Sequence, residues 1–181
     1  MIGKFIEWSK KKYTLRQQIL LMLPAGALFL LIMPAAIVAM SKVDAVIGTH
    51  GILPAAFHHI AGLAMIVIGI VFGLWSVFSE FIIGEGTPVP LMPTQKLITG
   101  GPFAYCRNPM AFGTLCAYAG IAVFIDSLSS YIFVSILAGA LTAYIKCIEE
   151  KELEARFGAE YLEYKSRVPF ILPRPASMIR R

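Results

Sequence analysis

Two short clusters hold most of the residues able to do chemistry. The first closes a Gly- and Pro-dense stretch. It runs Gly84-Glu85-Gly86-Thr87-Pro88-Val89-Pro90, then Lys96-Leu97-Ile98-Thr99-Gly100-Gly101-Pro102-Phe103-Ala104-Tyr105-Cys106-Arg107-Asn108-Pro109. Such a density of Gly and Pro makes a loop with fixed turns. Pro109 suits the first turn of a helix, with Asn108 as its candidate cap. The free N–H groups and positive dipole end of that helix favour a carboxylate or phosphate, which Arg107 would reinforce. The second cluster is Glu149-Glu150, where an apolar run gives way to Lys151-Glu152-Leu153-Glu154-Ala155-Arg156-Phe157-Gly158. A structural reading stands beside each: a Pro-rich connector with a snorkelling Arg, and a solvated helical face with local ion pairs.

The elements that must position these clusters are apolar. Of 181 residues, 57% are hydrophobic and 15% charged, and the mean hydropathy is +0.72. Soluble domains average about 45–50% apolar and about 25% charged, and a chain this short could not bury the surplus. The composition excludes an ordinary soluble enzyme, a disordered chain and a nucleic-acid-binding module, and points to an integral membrane protein of all-α class. Four uncharged runs follow one another: Ile19–Met40, with Pro24 and Pro34 inside it; Ile60–Phe78, with Gly62, Gly69 and Gly73; Met110–Ile125; and Tyr131–Ile145. The first is too long for the core of a signal peptide and is read as a retained helix. The small residues of the second permit close helix contact. Only Asp126 to Ser130 separate the last two runs, which predicts an antiparallel hairpin. About four transmembrane helices result, with cytosolic C-terminal helices ending at Gly158 and over Ala159–Ser166. The whole, 1–181, reads as one membrane domain, with a cytosolic loop at 84–109 and a cytosolic C-terminal segment at 146–181.

The charges set the orientation. In a four-crossing chain every basic residue except Lys42 falls on one side, among them Lys4, Lys10, Lys11, Lys12, Arg16, Lys96, Arg107 and Lys146. The positive-inside rule puts both termini and the central loop in the cytosol, at a plasma or inner membrane or the endoplasmic reticulum. The net charge of +5 is therefore a topology signal and requires no nucleic-acid partner. Cys106, Cys116 and Cys147 form no disulfide framework. His50, His58 and His59 fall in an outer loop, and adjacent His58-His59 lacks the helical spacing of a two-ligand metal site.

The pattern Gly101-Pro102-Phe103-x-Tyr105-x-Arg107-Asn108-Pro109, an apolar hairpin, Glu149-Glu150, Phe157-Gly158-x-Glu160-Tyr161-x-x-Tyr164 and Val168-Pro169 resembles the isoprenylcysteine carboxyl methyltransferase and phospholipid methyltransferase superfamily. The resemblance covers roughly residues 84–175. It implies an integral membrane enzyme that takes S-adenosylmethionine at the cytosolic end of its last helices and meets a lipophilic acceptor arriving through the bilayer. By position, Gly101, Pro102, Tyr105, Arg107, Asn108 and Pro109 match the first cofactor motif, preceded by Lys96 and Leu97, and Glu149 and Glu150 match the second. Arg107 and Glu150 are the candidate catalytic residues. In such a site Arg107 and the backbone near Asn108 suit the cofactor carboxylate, Glu149 or Glu150 the amine or ribose hydroxyls, and Tyr161, Tyr164 and Phe170 the adenine. No metal is required.

The family motif usually reads Arg-His-Pro-x-Tyr, whereas here Asn108 replaces the His and Ala111 the Tyr. Asn108 still hydrogen-bonds but does not titrate near neutral pH. The leading acceptors are a prenylcysteine-like carboxylate and a phospholipid amine. An amine must lose a proton, for which Glu80 or Glu150 is a candidate base, although Glu80 also reads as a plain interfacial carboxylate. Two other functions fit less of the pattern. One is a membrane reductase of the sterol type using NADPH, the other a small membrane scaffold without enzymatic activity.

Overall fold

The structure is a computed structural model, and it describes residues 14–87 and 94–174. Lys4, Lys10, Lys11, Lys12, Pro88, Val89, Pro90, Arg180 and Arg181 lie outside the described residues. All regular structure among the described residues is helical.

The described residues open with α1 (Leu15–Ala27), pass through a π-turn (Leu28–Ile32) and continue as α2 (Met33–Ile47). Thr14 caps α1 by accepting from the Gln17 amide, and the Gln17 side chain answers to the Thr14 amide. Pro34 explains the π-turn. Proline has no N–H and crowds the preceding turn, so the helix widens before it. In the widened register the Phe29 carbonyl faces Pro34 and has no helical donor. The Tyr118 hydroxyl donates to it instead at 2.7 Å.

The helix does not stop at Met40. It runs to Ile47 and ends at Gly48, whose φ is +72°. Lys42 and Asp44, expected in a loop, therefore ride on α2. No helix breaker lies between Pro34 and Gly48, so the three polar or charged residues Ser41, Lys42 and Asp44 do not end it.

Helix α3 (Ala55–Ile82) enters behind Pro54, earlier than the apolar run, and takes up His58 and His59. Their placement in a loop is corrected: Pro54 sets the entry, and His58 Nδ1 stands 2.9 Å from the Phe124 carbonyl oxygen. Helices α4 (Pro109–Ile125) and α5 (Leu128–Tyr144) form the expected hairpin, with only Asp126 and Ser127 between them. Asp44 accepts from the Ser127 hydroxyl at 2.6 Å and the Ser129 amide at 3.0 Å. Asp126 accepts from the Leu53 amide at 2.9 Å and the Tyr131 hydroxyl at 3.0 Å. The two acidic residues at this end of the bundle thus clamp the hairpin tip.

Helix α5 passes through a second π-turn (Ile145–Glu149) into α6 (Glu150–Phe157), and α7 (Ala159–Arg167) follows. Gly158 separates them at φ +54°, ψ −127°, a conformation open essentially to glycine alone.

Three stretches, Met22–Ile47, Ala56–Ile82 and Leu128–Phe157, are long and apolar enough to cross a membrane. Pro109–Ile125 is a shorter apolar helix. At about 1.5 Å per residue it reaches about 26 Å, near the lower limit for a span. It is held against α3 by glycine on both sides. A Cβ on Gly69 would lie 2.5 Å from the Gly113 carbonyl oxygen, one on Gly113 2.6 Å from the Gly73 amide, and one on Gly120 2.8 Å from the Gly62 carbonyl oxygen. The backbones meet where no side chain intervenes. Ile37, Tyr118, Ala122 and Val134 then form a core among α2, α4 and α5.

Candidate functional site

The first motif folds as a tight turn. Gly100 accepts from the Phe103 amide, and a 3₁₀ turn (Gly101–Ala104) follows with Gly101 at φ +60°. Pro102 is buried beneath it and Pro109 begins α4. Cys106 between them is fully enclosed, and burial pushes its thiol up to about 11.

Arg107 is the hub. Its Nε and Nη2 donate to Glu150 Oε1 at 3.2 and 2.7 Å, and Nη1 donates to the carbonyls of Lys165 and Val168 at 3.0 and 2.6 Å. The side chains of Arg107 and Glu150 are only 11% and 7% exposed. Glu150 also pairs with Lys165 through Oε2 at 2.9 Å, and Lys165 pairs with Glu154 at 2.6 Å. Glu154 first, and then Glu150, holds the Lys165 ammonium above its ordinary range.

The segment after α7 lies along the turn. The Arg107 amide donates to the Pro169 carbonyl at 2.8 Å, and the Arg174 amide to the Tyr105 carbonyl at 3.0 Å. Asn108 occupies the cap position of α4, yet its side chain does not cap. Its Nδ2 donates to the Phe170 carbonyl at 2.8 Å, because the neighbouring backbone bonds bring that carbonyl within reach. Lys146 stands over the Phe170 ring at 4.9 Å.

Tyr161, Tyr164 and Val168 pack into an apolar cluster with Leu97, Phe103, Leu153 and Phe157. The Tyr164 hydroxyl donates to the Phe103 carbonyl at 2.7 Å. Desolvation is the main reason both phenols are raised, Tyr161 to about 12. These rings bind the C-terminal helix to the turn, and neither presents an open face.

The structure therefore brings together Leu97, Gly101, Pro102, Tyr105, Arg107, Asn108, Pro109, Glu150, Tyr161 and Tyr164. Lys96 stands apart, ion-paired with Glu85 at the surface. Glu149 follows a different course from its neighbour. Its carboxylate takes no part in the Arg107 network. Among the described residues the carboxylate of neither Glu80 nor Glu149 has a hydrogen bond or an ion pair.

Helix α3 supplies residues that the motif reading passed over. The Trp75 ring lies 5.8 Å from that of Tyr105, and its Nε1 lies 3.5 Å from where a Cβ on Gly101 would be. Trp75 and Ser79, four residues apart, share one face on the last turns of a mostly apolar helix. That was a legible signal, but nothing in the sequence tied it to the Gly101 turn.

The site is thus a rigid turn braced by a buried ion pair, with free carboxylates and aromatic faces beside it. A family model of phospholipid methyltransferases matches residues 57–160. No curated protein and no solved structure gives a significant match.

Proposed function

The chain belongs to the phospholipid methyltransferase family, a family of membrane methyltransferases, and from that premise we propose that it transfers a methyl group from S-adenosylmethionine to a lipophilic acceptor at the cytosolic membrane face. The acceptor is a lipid or lipid-like molecule bearing a phospholipid amine or a prenylcysteine-like carboxylate. The observation that carries this reading is the meeting of Arg107, Asn108, Glu150 and the segment Val168–Phe170, distant in sequence, around the Arg107 guanidinium.

The groups present suit the cofactor. Its amine calls for a free carboxylate, which Glu149 offers, and its carboxylate for the amide donors of the first turn of α4. The faces of Trp75 and Tyr105 suit a purine. Arg107 and Glu150 spend their polar atoms on one another and on the C-terminal segment, so we assign them positioning: they fix the turn and hold the segment that covers it. When bound, S-adenosylmethionine supplies an electrophilic methyl on sulfonium. The chain has to align that methyl with the acceptor and exclude water, and alignment alone is worth several kcal/mol, roughly 7 or more in well-oriented systems. The described residues 84–87 and 94–109 of the loop and 146–174 of the C-terminal segment supply the cytosolic half of the site, with both termini on the same side, in a plasma or inner membrane or the endoplasmic reticulum.

Binding of S-adenosylmethionine to purified protein, measured alongside NADPH, tests the assignment. The proposal expects S-adenosylmethionine to bind and NADPH not to. Arg107→Ala and Glu150→Ala should each weaken cofactor binding at least about tenfold, or about 1.4 kcal/mol. Unchanged affinity in both variants would remove the site, and preference for NADPH would remove the function in favour of a reductase.

A further inference from the structure

A groove runs between α1, with its π-turn, and the end of α3. Its volume is about 540 Å³, inside the range of about 300–1,000 Å³ for small-molecule sites. One wall carries two rows of residues four apart, Met22, Gly26 and Leu30 beside Leu23, Ala27 and Leu31, and Phe81 stands on the other. No side chain among them is polar, so the groove offers a ligand apolar contact alone. At Gly26 the wall thins to backbone: a Cβ there would meet no atom within 4 Å. Leu23, Leu30 and Leu31 are exposed beside it. The stretches Met22–Ile47 and Ala56–Ile82 that form the two walls are both long and apolar enough to cross a membrane, so the groove opens onto hydrocarbon.

Length sets the occupant. The first span begins at Met22, and the stretch from there to Leu31 rises about 14 Å. That is about half of a hydrocarbon core of about 30 Å, the depth of one leaflet. The leaflet is the one on the side of the Arg107 site. Phe81 lies on the last turn of α3, just past Ser79, whose Oγ is 3.4 Å from where a Cβ on Gly101 would be. Phe81 and Ser79 point to different sides of α3, so a headgroup at the mouth of the groove is about one helix diameter, about 10 Å, from the Gly101 turn. We propose that the groove seats one acyl chain of the lipid acceptor and so fixes how deep the lipid sits when its headgroup reaches the site. This rests on the methyltransferase reading and adds to it a binding site for the part of the acceptor that does not react. Contacts to such a remote part hold the reacting end in line. A second copy of the chain would bring a helix that crosses both leaflets, for which a groove one leaflet deep is too short.

The test uses the full chain in phosphatidylcholine vesicles. The probe is phosphatidylethanolamine carrying a photoreactive diazirine midway along one acyl chain, with crosslinks mapped by peptide mass. In the wild type they should concentrate on the Met22–Leu31 stretch and Phe81, well above the lipid-exposed Ile132 and Ile136 of α5. Gly26→Leu puts a side chain into the open space without meeting a neighbour, and leucine favours a helix over glycine. It should cut the groove crosslinks at least about tenfold and leave those on α5 unchanged, whereas Gly26→Ala should do little. In methyl transfer from labelled S-adenosylmethionine, Gly26→Leu should raise KM for the lipid at least about tenfold, with cofactor affinity within about twofold. Equal labelling of the groove and of α5 would overturn the inference, as would crosslinks that join two copies of the chain. An unchanged KM in Gly26→Leu, with the groove crosslinks lost, would make the occupant a structural lipid and overturn its role as acceptor. If Gly26→Leu does not fold, the wild-type crosslink pattern decides between the same occupants. Failure of the wild type to bind S-adenosylmethionine would overturn the methyltransferase reading and the acceptor role with it, a result separate from the crosslink pattern, which reports the chain in the groove by itself.

Discussion

Replacing Arg107 with alanine removes four hydrogen bonds at once, to Glu150 twice and to the carbonyls of Lys165 and Val168. Breaking a buried ion pair by deleting one partner typically costs about 3–5 kcal/mol, because the survivor is left uncompensated. Here Glu150 keeps Lys165 at 2.9 Å, which moderates that loss. The two freed carbonyls add to it, at about 1 kcal/mol each when left unpaired. The sum stays near 3–5 kcal/mol. Lys165→Ala is the control. Its side chain is 33% exposed, so its pairs are largely screened and the change should cost about 1 kcal/mol or less. Unfolding titrations in mixed micelles, followed by circular dichroism, give both values. Limited proteolysis should find the Val168–Arg174 segment cut far faster in Arg107→Ala. Equal costs for the two variants, or an unchanged cleavage rate, would refute the view of Arg107 as the hub.

Gly113→Leu should separate α3 from α4, since even a Cβ there falls 2.6 Å from the Gly73 amide; overpacking of this kind costs about 1–3 kcal/mol or more, read in the same titration. Tyr164→Phe loses the bond to the Phe103 carbonyl and should cost about 1–2 kcal/mol without loss of helix content. A membrane-permeant maleimide should label exposed Cys147 in the folded protein and leave Cys106 about 100-fold slower, until unfolding equalises them. With Cys106 raised from 9.0 to about 11, the folded state holds its proton longer than the unfolded state. Its contribution to stability is therefore whole below about pH 9 and falls as pH rises toward 11; a stability–pH curve flat across that window in wild type would contradict it.

Much of the fold was legible because lipid exposure leaves a simple record. Apolar runs gave the helix number, and Gly62, Gly69 and Gly73 announced the close packing on α4. What periodicity could not show was where helices pass through polar residues. Ser41, Lys42 and Asp44 look like a loop but sit on α2, since Asp44 finds its donors at the α4–α5 tip in residues more than eighty positions away. At the site, the Arg107–Glu150 meeting followed from the hairpin: two antiparallel helices bring their ends together. The role of Asn108 did not follow, because its side chain answers to the Phe170 carbonyl, which only the folded C-terminal segment supplies. Likewise Glu149 and Glu150 are neighbours in sequence with different surroundings. One joins the Arg107 network and the other does not, because consecutive helical residues point about 100° apart.

The central claim, methyl transfer at a membrane, is tested most directly by incubating the reconstituted chain with methyl-labelled S-adenosylmethionine and a lipid extract, then separating lipid from water. The account predicts protein-dependent label in the lipid fraction, reduced in Arg107→Ala and Glu150→Ala. Label confined to the aqueous fraction, with folded protein and a full set of lipid headgroups present, would contradict it.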